Sequence, residues 1–400
     1  MTGVPRPSTT DVRPTGAFWQ VGLSPRVVAN RYVLLGVVAL AGAVVAGGRG
    51  DWNVFATAGG DLIHTDGLAF YARHGDIQTG PLSLLVAAGL SGTGWRNGFV
   101  LCVMITMALG FGCLVMIERT TSKPLGSVEE LQIEKATMLG GFVLLFWWAK
   151  LGGYGHLDDA TVLAAACGAL FAHRRRQATF ASLLVGVAIA SKPWAVIFLP
   201  LAIDMSHSRV DWAGWARWRR LRPMTVALLI AAVAWAPFIL DAPRSLHSLR
   251  PTVNVAADSV LRLLGGSAEQ PPSWLRLAQL GLALATASLA VVRRVPEGTI
   301  LAAVAVRLGT DPGTWGYYTP GLLLGALIWD VLRSPQRVPV TSYAMAVLLL
   351  PEWIVPSDLL RASLRLVACV VAVALVLTGR PVEQPEALTS PATTRSPGVA

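Results

Sequence analysis

Twelve apolar runs, separated by short stretches that hold most of the arginine, dominate the sequence: 32–48, 81–92, 97–117, 137–153, 158–173, 177–203, 223–240, 274–292, 297–308, 319–332, 339–355 and 362–379. Only 14% of the 400 residues are charged and 54% are hydrophobic, against roughly 25% charged in a soluble globular protein. Hiding that much apolar surface from water would need an outsized core, whereas lipid solvates it directly. Backbone polar groups in lipid must pair within their own segment, so the runs are expected to be helices. The expected fold class is all-α: a polytopic helical membrane protein of about 10–12 hydrophobic helices, some short, broken or re-entrant.

The net charge of +10 would suggest nucleic acid in a soluble protein. Here the arginines lie in short clusters between apolar runs, the layout of cytoplasmic loops rather than of a basic binding face, so no nucleic acid is expected. Cys102, Cys113, Cys167 and Cys369 all sit inside apolar runs; they read as small buried hydrophobes, with no disulfide framework and no zinc site. The run from Tyr32 is longer than a signal-peptide core and reads as an uncleaved anchor. Beyond Arg380 the chain is rich in Pro, Thr and Ser, the composition of a disordered tail.

The basic clusters predict topology. "HRRRQ" (173–177), "RWRRLR" (217–222), Arg293–Arg294 and "RSPQR" (333–337) are expected in the cytoplasm with both termini. Residues 49–80, "GGYGHLDD" (152–159), 241–272, "GTDPGTW" (309–315) and "PEWIVPSD" (351–358) then face outward. Two runs resist simple counting. Residues 81–92 are too short to cross and are expected to lie on or dip into the outer face. The 177–203 run carries Ser191–Lys192–Pro193 near its middle. A single span would bury the lysine at several kcal/mol and break at the proline, so two short helices with Lys192 at an outer tip are expected.

That topology gathers polar residues from distant parts of the chain onto one face: Asp51, His156, Asp158, Asp159, Lys192, Arg244, Arg250, Arg307, Trp315, Tyr317 and Tyr318. Each has a plain explanation alone. Asp51 would be solvated at the boundary, His156–Asp158–Asp159 would cap a helix start, and Lys192 would snorkel to a headgroup. Trp315, Tyr317 and Tyr318 would form an interfacial aromatic belt, and Arg244 and Arg250 would be wet loop residues. Jointly they offer a carboxylate base for a hydroxyl and cations for a phosphate leaving group, beside an apolar groove. Those are the parts needed to move a sugar from a lipid phosphate onto an alcohol.

In "GDWNVFATAGGDL…GLAFYARHGDIQTGPLSLL", "GGYGHLDDATVLAAACGALFAHRRR…ASLLVGVAIASKPWAVIFLPLAI" and "VRLGTDPGTWGYYTPGLLL", in that order, the chain resembles the polytopic glycosyltransferases of the GT-C fold that use polyprenyl-phosphate sugars. Among them it resembles the mannosyltransferases of glycosylphosphatidylinositol-anchor and phosphatidylinositol-mannoside synthesis. The matches extend over roughly residues 30–330, and the paired acidic motif of the oligosaccharyltransferase type is missing.

The resemblance implies an inverting mannosyltransferase with Asp51 as catalytic base and Lys192, Arg307, Arg244 and Arg250 at the donor phosphate. His156, Asp158, Asp159, Tyr71, Asp76, Gln78, Trp315, Tyr317 and Tyr318 would contact substrate. It implies a lipid-linked sugar donor, a glycolipid or glycan acceptor, no cofactor and no required metal. The organisation expected is a cytoplasmic segment 1–30, one transmembrane GT-C-like domain 31–379 with 49–80 as catalytic outer loop, and a tail 380–400. The place expected is the plasma membrane, with the site facing outward. A transporter or lipid flippase is the alternative; it would show inverted repeats and polar groups at mid-membrane, and no internal repeat is visible.

Overall fold

In a computed structural model, residues 25–46, 50–121, 127–204, 214–249, 253–333, 338–350 and 354–380 are described. The tail beyond Arg380, most of the segment 1–30 and Arg250 lie outside them. Among the described residues there is no strand. Among the described residues the α-helices of ten residues or more are α1 (Arg31–Ala46), α2 (Trp52–His64), α3 (Pro81–Ser91), α4 (Trp95–Thr120), α5 (Val128–Tyr154), α6 (Leu157–Arg174), α7 (Ala178–Ser191), α8 (Gly214–Asp241), α9 (Trp274–Val292), α10 (Thr299–Thr310), α11 (Thr319–Arg333), α12 (Val340–Leu349) and α13 (Asp358–Thr378).

Five segments are long and apolar enough to cross a bilayer: Trp95–Thr120, Glu129–Tyr154, Arg220–Asp241, Trp274–Val292 and Asp358–Thr378. The exterior agrees. Val33 is 68% exposed, Leu229 64% and Val370 57%, and an apolar surface of this extent is stable only against lipid or a partner. By contrast α10 and α11 are buried on almost every side, as expected of helices apolar all round. α9 and α13 pack against α10, and α5 and α12 pack against α11. The chain is thus an all-α, multi-pass membrane protein.

The two irregular runs behave as their sequences dictate. α3 has proline in its first turn and spans 11 residues, about 16 Å at 1.5 Å per residue, half a hydrocarbon core. α7 stops at Ser191, Lys192 is extended (φ −158°, ψ 123°), and a 3-10 helix, Pro193–Ala202, continues the chain. α5 starts two turns before its apolar run. Ser127 caps it, accepting from the Glu130 amide at 3.1 Å, and the spacing Ser127-x-x-Glu130 is that of a capping box.

The stretch 49–80 is more helical than a loop. Asp51 heads α2, whose buried residues Trp52, Ala56, Gly59 and Leu62 recur at helical spacing and pack on α3. Its far end returns to the α7 break, where the Gly80 amide donates to the Ser191 carbonyl at 2.8 Å. A Cβ on Gly80 would sit 2.2 Å from the Ala190 oxygen and 2.8 Å from that of Ser191, both backbone atoms. Gly80→Ala is therefore expected to cost about 1–3 kcal/mol and to lower the thermal midpoint in detergent; an unchanged midpoint would show that this docking is not needed.

Candidate active site

The site is built where α2, α5, α6 and the α7 break meet. Gly155 takes a left-handed turn (φ 83°) after α5, a conformation that favours glycine, and delivers His156 to the head of α6. The Asp51 amide donates to the Tyr154 carbonyl at 3.0 Å, holding the start of α2 against the same turn. His156 Nε2 then lies 2.7 Å from Asp51 Oδ2. Its Nδ1 lies 3.4 Å from Asp158 Oδ1 and 3.3 Å from Asp159 Oδ2; it makes no hydrogen bond of good geometry there but feels both charges.

Lys192 closes the cluster. Its Nζ is 2.8 Å from Asp158 Oδ2 and 2.6 Å from Asp159 Oδ2. Thr79 Oγ1 donates to Asp158 Oδ2 at 3.0 Å, and Trp194 Nε1 to Asp159 Oδ1 at 3.1 Å. Buried charges persist when paired and hydrogen-bonded on every side. Asp51 alone of the five charged groups is open: its side chain is 45% exposed against 4% for His156. His156, Asp158 and Asp159 offer ligand atoms within 4.8 Å of one another, a set that suits a cation by type. Lys192 Nζ sits against the same two carboxylates, so a metal there would have to displace that ammonium.

Burial pushes the His156 imidazole pKa down, but the carboxylates of Asp158, Asp159 and Asp51 outweigh it and carry the pKa up to about 10 from an ordinary 6.5. His156 is thus an imidazolium through neutral pH. A folded pKa above the unfolded one stabilises fully below about pH 6.5, and the contribution is lost as pH rises through about 10. The thermal midpoint of the wild type should accordingly exceed that of His156→Gln most at pH 6, the gap narrowing towards pH 10. A gap constant across this range would mean that the histidine is neutral in the folded state.

Beside this cluster opens a cavity of about 570 Å³ whose lining includes Asp51, His156 and Lys192. Asp76, Gln78, Arg307, Trp315, Tyr317 and Tyr318 line it too. Asp158 and Asp159 stand behind His156 and Lys192. Tyr317 stacks on His156 (centroids 3.7 Å) and Trp315 runs parallel to Tyr317 at 6.1 Å. Burial pushes the Tyr317 hydroxyl far above its usual range, so it serves as a neutral platform.

Other expected residues fall elsewhere. Tyr71 is buried beneath the lining, its hydroxyl donating to the Thr79 carbonyl at 2.7 Å, and shapes the wall from behind. Arg244 is exposed and absent from the lining. Asp66 is held by Arg73 and by His74 at 2.7 Å, a local loop tie. Nothing in the sequence marks Arg276, Trp194 or Asp311, yet Arg276 and Trp194 line the cavity and Asp311 lies 3.8 Å from Arg307 and 4.0 Å from Arg276. Arginine near a helix start reads from sequence as an interfacial anchor; only the fold turns it inward.

No protein-family model matches the chain. No curated protein matches it either. Among solved structures it is similar to ArnT from Cupriavidus metallidurans bound to undecaprenyl phosphate, with 15% identity and a TM-score of 0.38 over 86% of this chain and 76% of that one. Overlap this loose carries no argument about site or activity.

Proposed function

We propose that this protein is a membrane glycosyltransferase of the GT-C type that moves a sugar, mannose by resemblance, from a polyprenyl-phosphate donor to a hydroxyl of a glycolipid or glycan on the outer face of the plasma membrane. The observation that carries the reading is Asp51: a half-exposed carboxylate held at 2.7 Å by a buried histidine, at one cavity with arginines. Its Oδ2 is engaged by His156, while Oδ1 makes no hydrogen bond among the described residues. Oδ1 takes the proton of the acceptor hydroxyl as that oxygen attacks the anomeric carbon. The bond from that carbon to the phosphate oxygen breaks, its electron pair leaves with the phosphate, and the configuration inverts.

The apolar wall supports a lipid-linked donor. Trp235 and Ile239 of α8 and Leu277 and Leu280 of α9 line the cavity, and Leu277 is also 73% exposed. Leu277 thus borders both the cavity and the lipid-facing exterior, and a prenyl chain can lie along it. Phosphate leaves readily once its charge is met, so no cofactor is assigned. The test is to supply membranes containing the protein with radiolabelled polyprenyl-phosphate mannose, arabinofuranose and glucose. Label is expected in a lipid or glycan product from one of them; none from any donor would overturn the reading.

A further inference from the structure

Within the transferase reading, on which this inference rests, we propose that Arg276 and Arg307 together form the seat for the single negative charge of the donor's phosphate, and that Lys192 takes no part in it. Arg307 is 6% exposed and lines the cavity, yet its guanidinium donates no hydrogen bond among the described residues; its Nε is buried without a partner. Five donors left idle in a buried group are costly unless a ligand takes them up. The group is nonetheless held in place. Its central carbon lies 4.1 Å from the Trp194 ring centre and 4.4 Å from that of Tyr318, so aromatic faces fix the plane and leave its edge for a planar, two-point contact with an oxyanion.

Arg276 reaches the same place from α9. Nη1 donates to Gln279 Oε1 at 2.8 Å and Nη2 to Gln78 Oε1 at 2.9 Å. Gln279 in turn donates to the Arg307 carbonyl at 3.1 Å, which locks α9 to α10. The two guanidiniums share one carboxylate, Asp311, and both contacts to it are long, at 3.8 and 4.0 Å. One positive charge is left over, matching a phosphodiester, which carries one negative charge. Lys192, by contrast, already pairs with two carboxylates. One cavity thus offers both groups the transfer needs, the Asp51 carboxylate for the base and the two arginines for the leaving group. Trp194 links the two, its Nε1 on Asp159 and its ring under Arg307.

The test measures binding of a long-chain polyprenyl methyl phosphate, a diester with one negative charge, and of the uncharged polyprenol of equal length to the full chain in detergent micelles. Wild type should prefer the phosphate by at least about tenfold, the scale of charge-assisted hydrogen bonds. The preference should largely vanish in Arg276→Gln and Arg307→Gln, persist in Asp51→Asn, and be intermediate in Arg307→Lys, which keeps the charge but loses the fork. Thermal midpoints are read on the same samples, and the lysine variant carries the test if a glutamine variant fails to fold. A preference unchanged in both glutamine variants, or none in wild type, overturns the seat. Sugar transfer by the same wild-type preparation judges the transferase reading separately: transfer with an arginine-independent preference sinks only the seat. An arginine-dependent preference without transfer sinks only the transferase.

Discussion

Asp51→Asn is expected to cut the rate of sugar transfer by about 10²–10⁴-fold, the usual contribution of a positioned general base, at saturating donor and with the apparent donor affinity nearly unchanged. The substitution keeps the volume, the backbone bond to Tyr154 and an oxygen able to accept from His156. It removes only the capacity to take a proton. His156 keeps two other carboxylates within 3.4 Å, so its charge remains compensated and the thermal midpoint should hold. His156→Gln should behave differently: Asp51 stays a carboxylate but loses the imidazolium that orients it, so a smaller rate loss should come with a changed pH profile and a lower midpoint. Initial rates and melting curves on the same preparations separate the two. Equal rates for Asp51→Asn and wild type would remove Asp51 from the chemistry and leave it as a partner that holds His156.

Much of this arrangement is legible in the sequence because lipid enforces simple rules. Apolar runs must be helices, so most of the long elements follow from hydropathy, and Pro81 and Pro193 mark where a helix starts and where one ends. Sidedness from the arginine clusters gathers Asp51, His156, Asp158, Asp159 and Lys192 onto one face before any fold is known; the structure joins them in one ion-pair chain. What sidedness cannot supply is pairing. Lys192 looks equally suited to a phosphate and to a carboxylate, and only the register of α6 against the α7 break places its ammonium on two aspartates. Arg276 fails to stand out for the converse reason: it lies in "SWLRLAQL", where a lone arginine at a helix start is ordinary. Its partners Gln78 and Asp311 are 198 and 35 residues away in sequence, of which the first is a direct hydrogen bond. α2 escapes notice because its buried stripe is made largely of small residues, Ala56, Ala58 and Gly59, which carry little hydrophobic signal.

Lys192→Met should be the most destabilising single change in the molecule. The methionine fills the space but leaves Asp158 and Asp159, each under 5% exposed at the side chain, facing one another with only His156 to offset them. Removing one partner of a buried ion pair costs about 3–5 kcal/mol, a large part of the 5–15 kcal/mol that typically holds a domain folded. A sharp fall in thermal midpoint and in the yield of monodisperse protein is expected. The double variant Lys192→Met/Asp159→Asn removes one charge of each sign, so it should recover most of the lost midpoint. It should not recover full transfer, because His156 then loses one of the carboxylates that keep it protonated against Asp51. The pair of results distinguishes two jobs for the lysine. If it is there to hold the carboxylates, stability falls in the single variant and returns in the double. If it is there to receive the donor's phosphate, the single variant should melt like wild type and lose only the preference for phosphate over alcohol, and the pairing seen at the α7 break would then be incidental to what the lysine does.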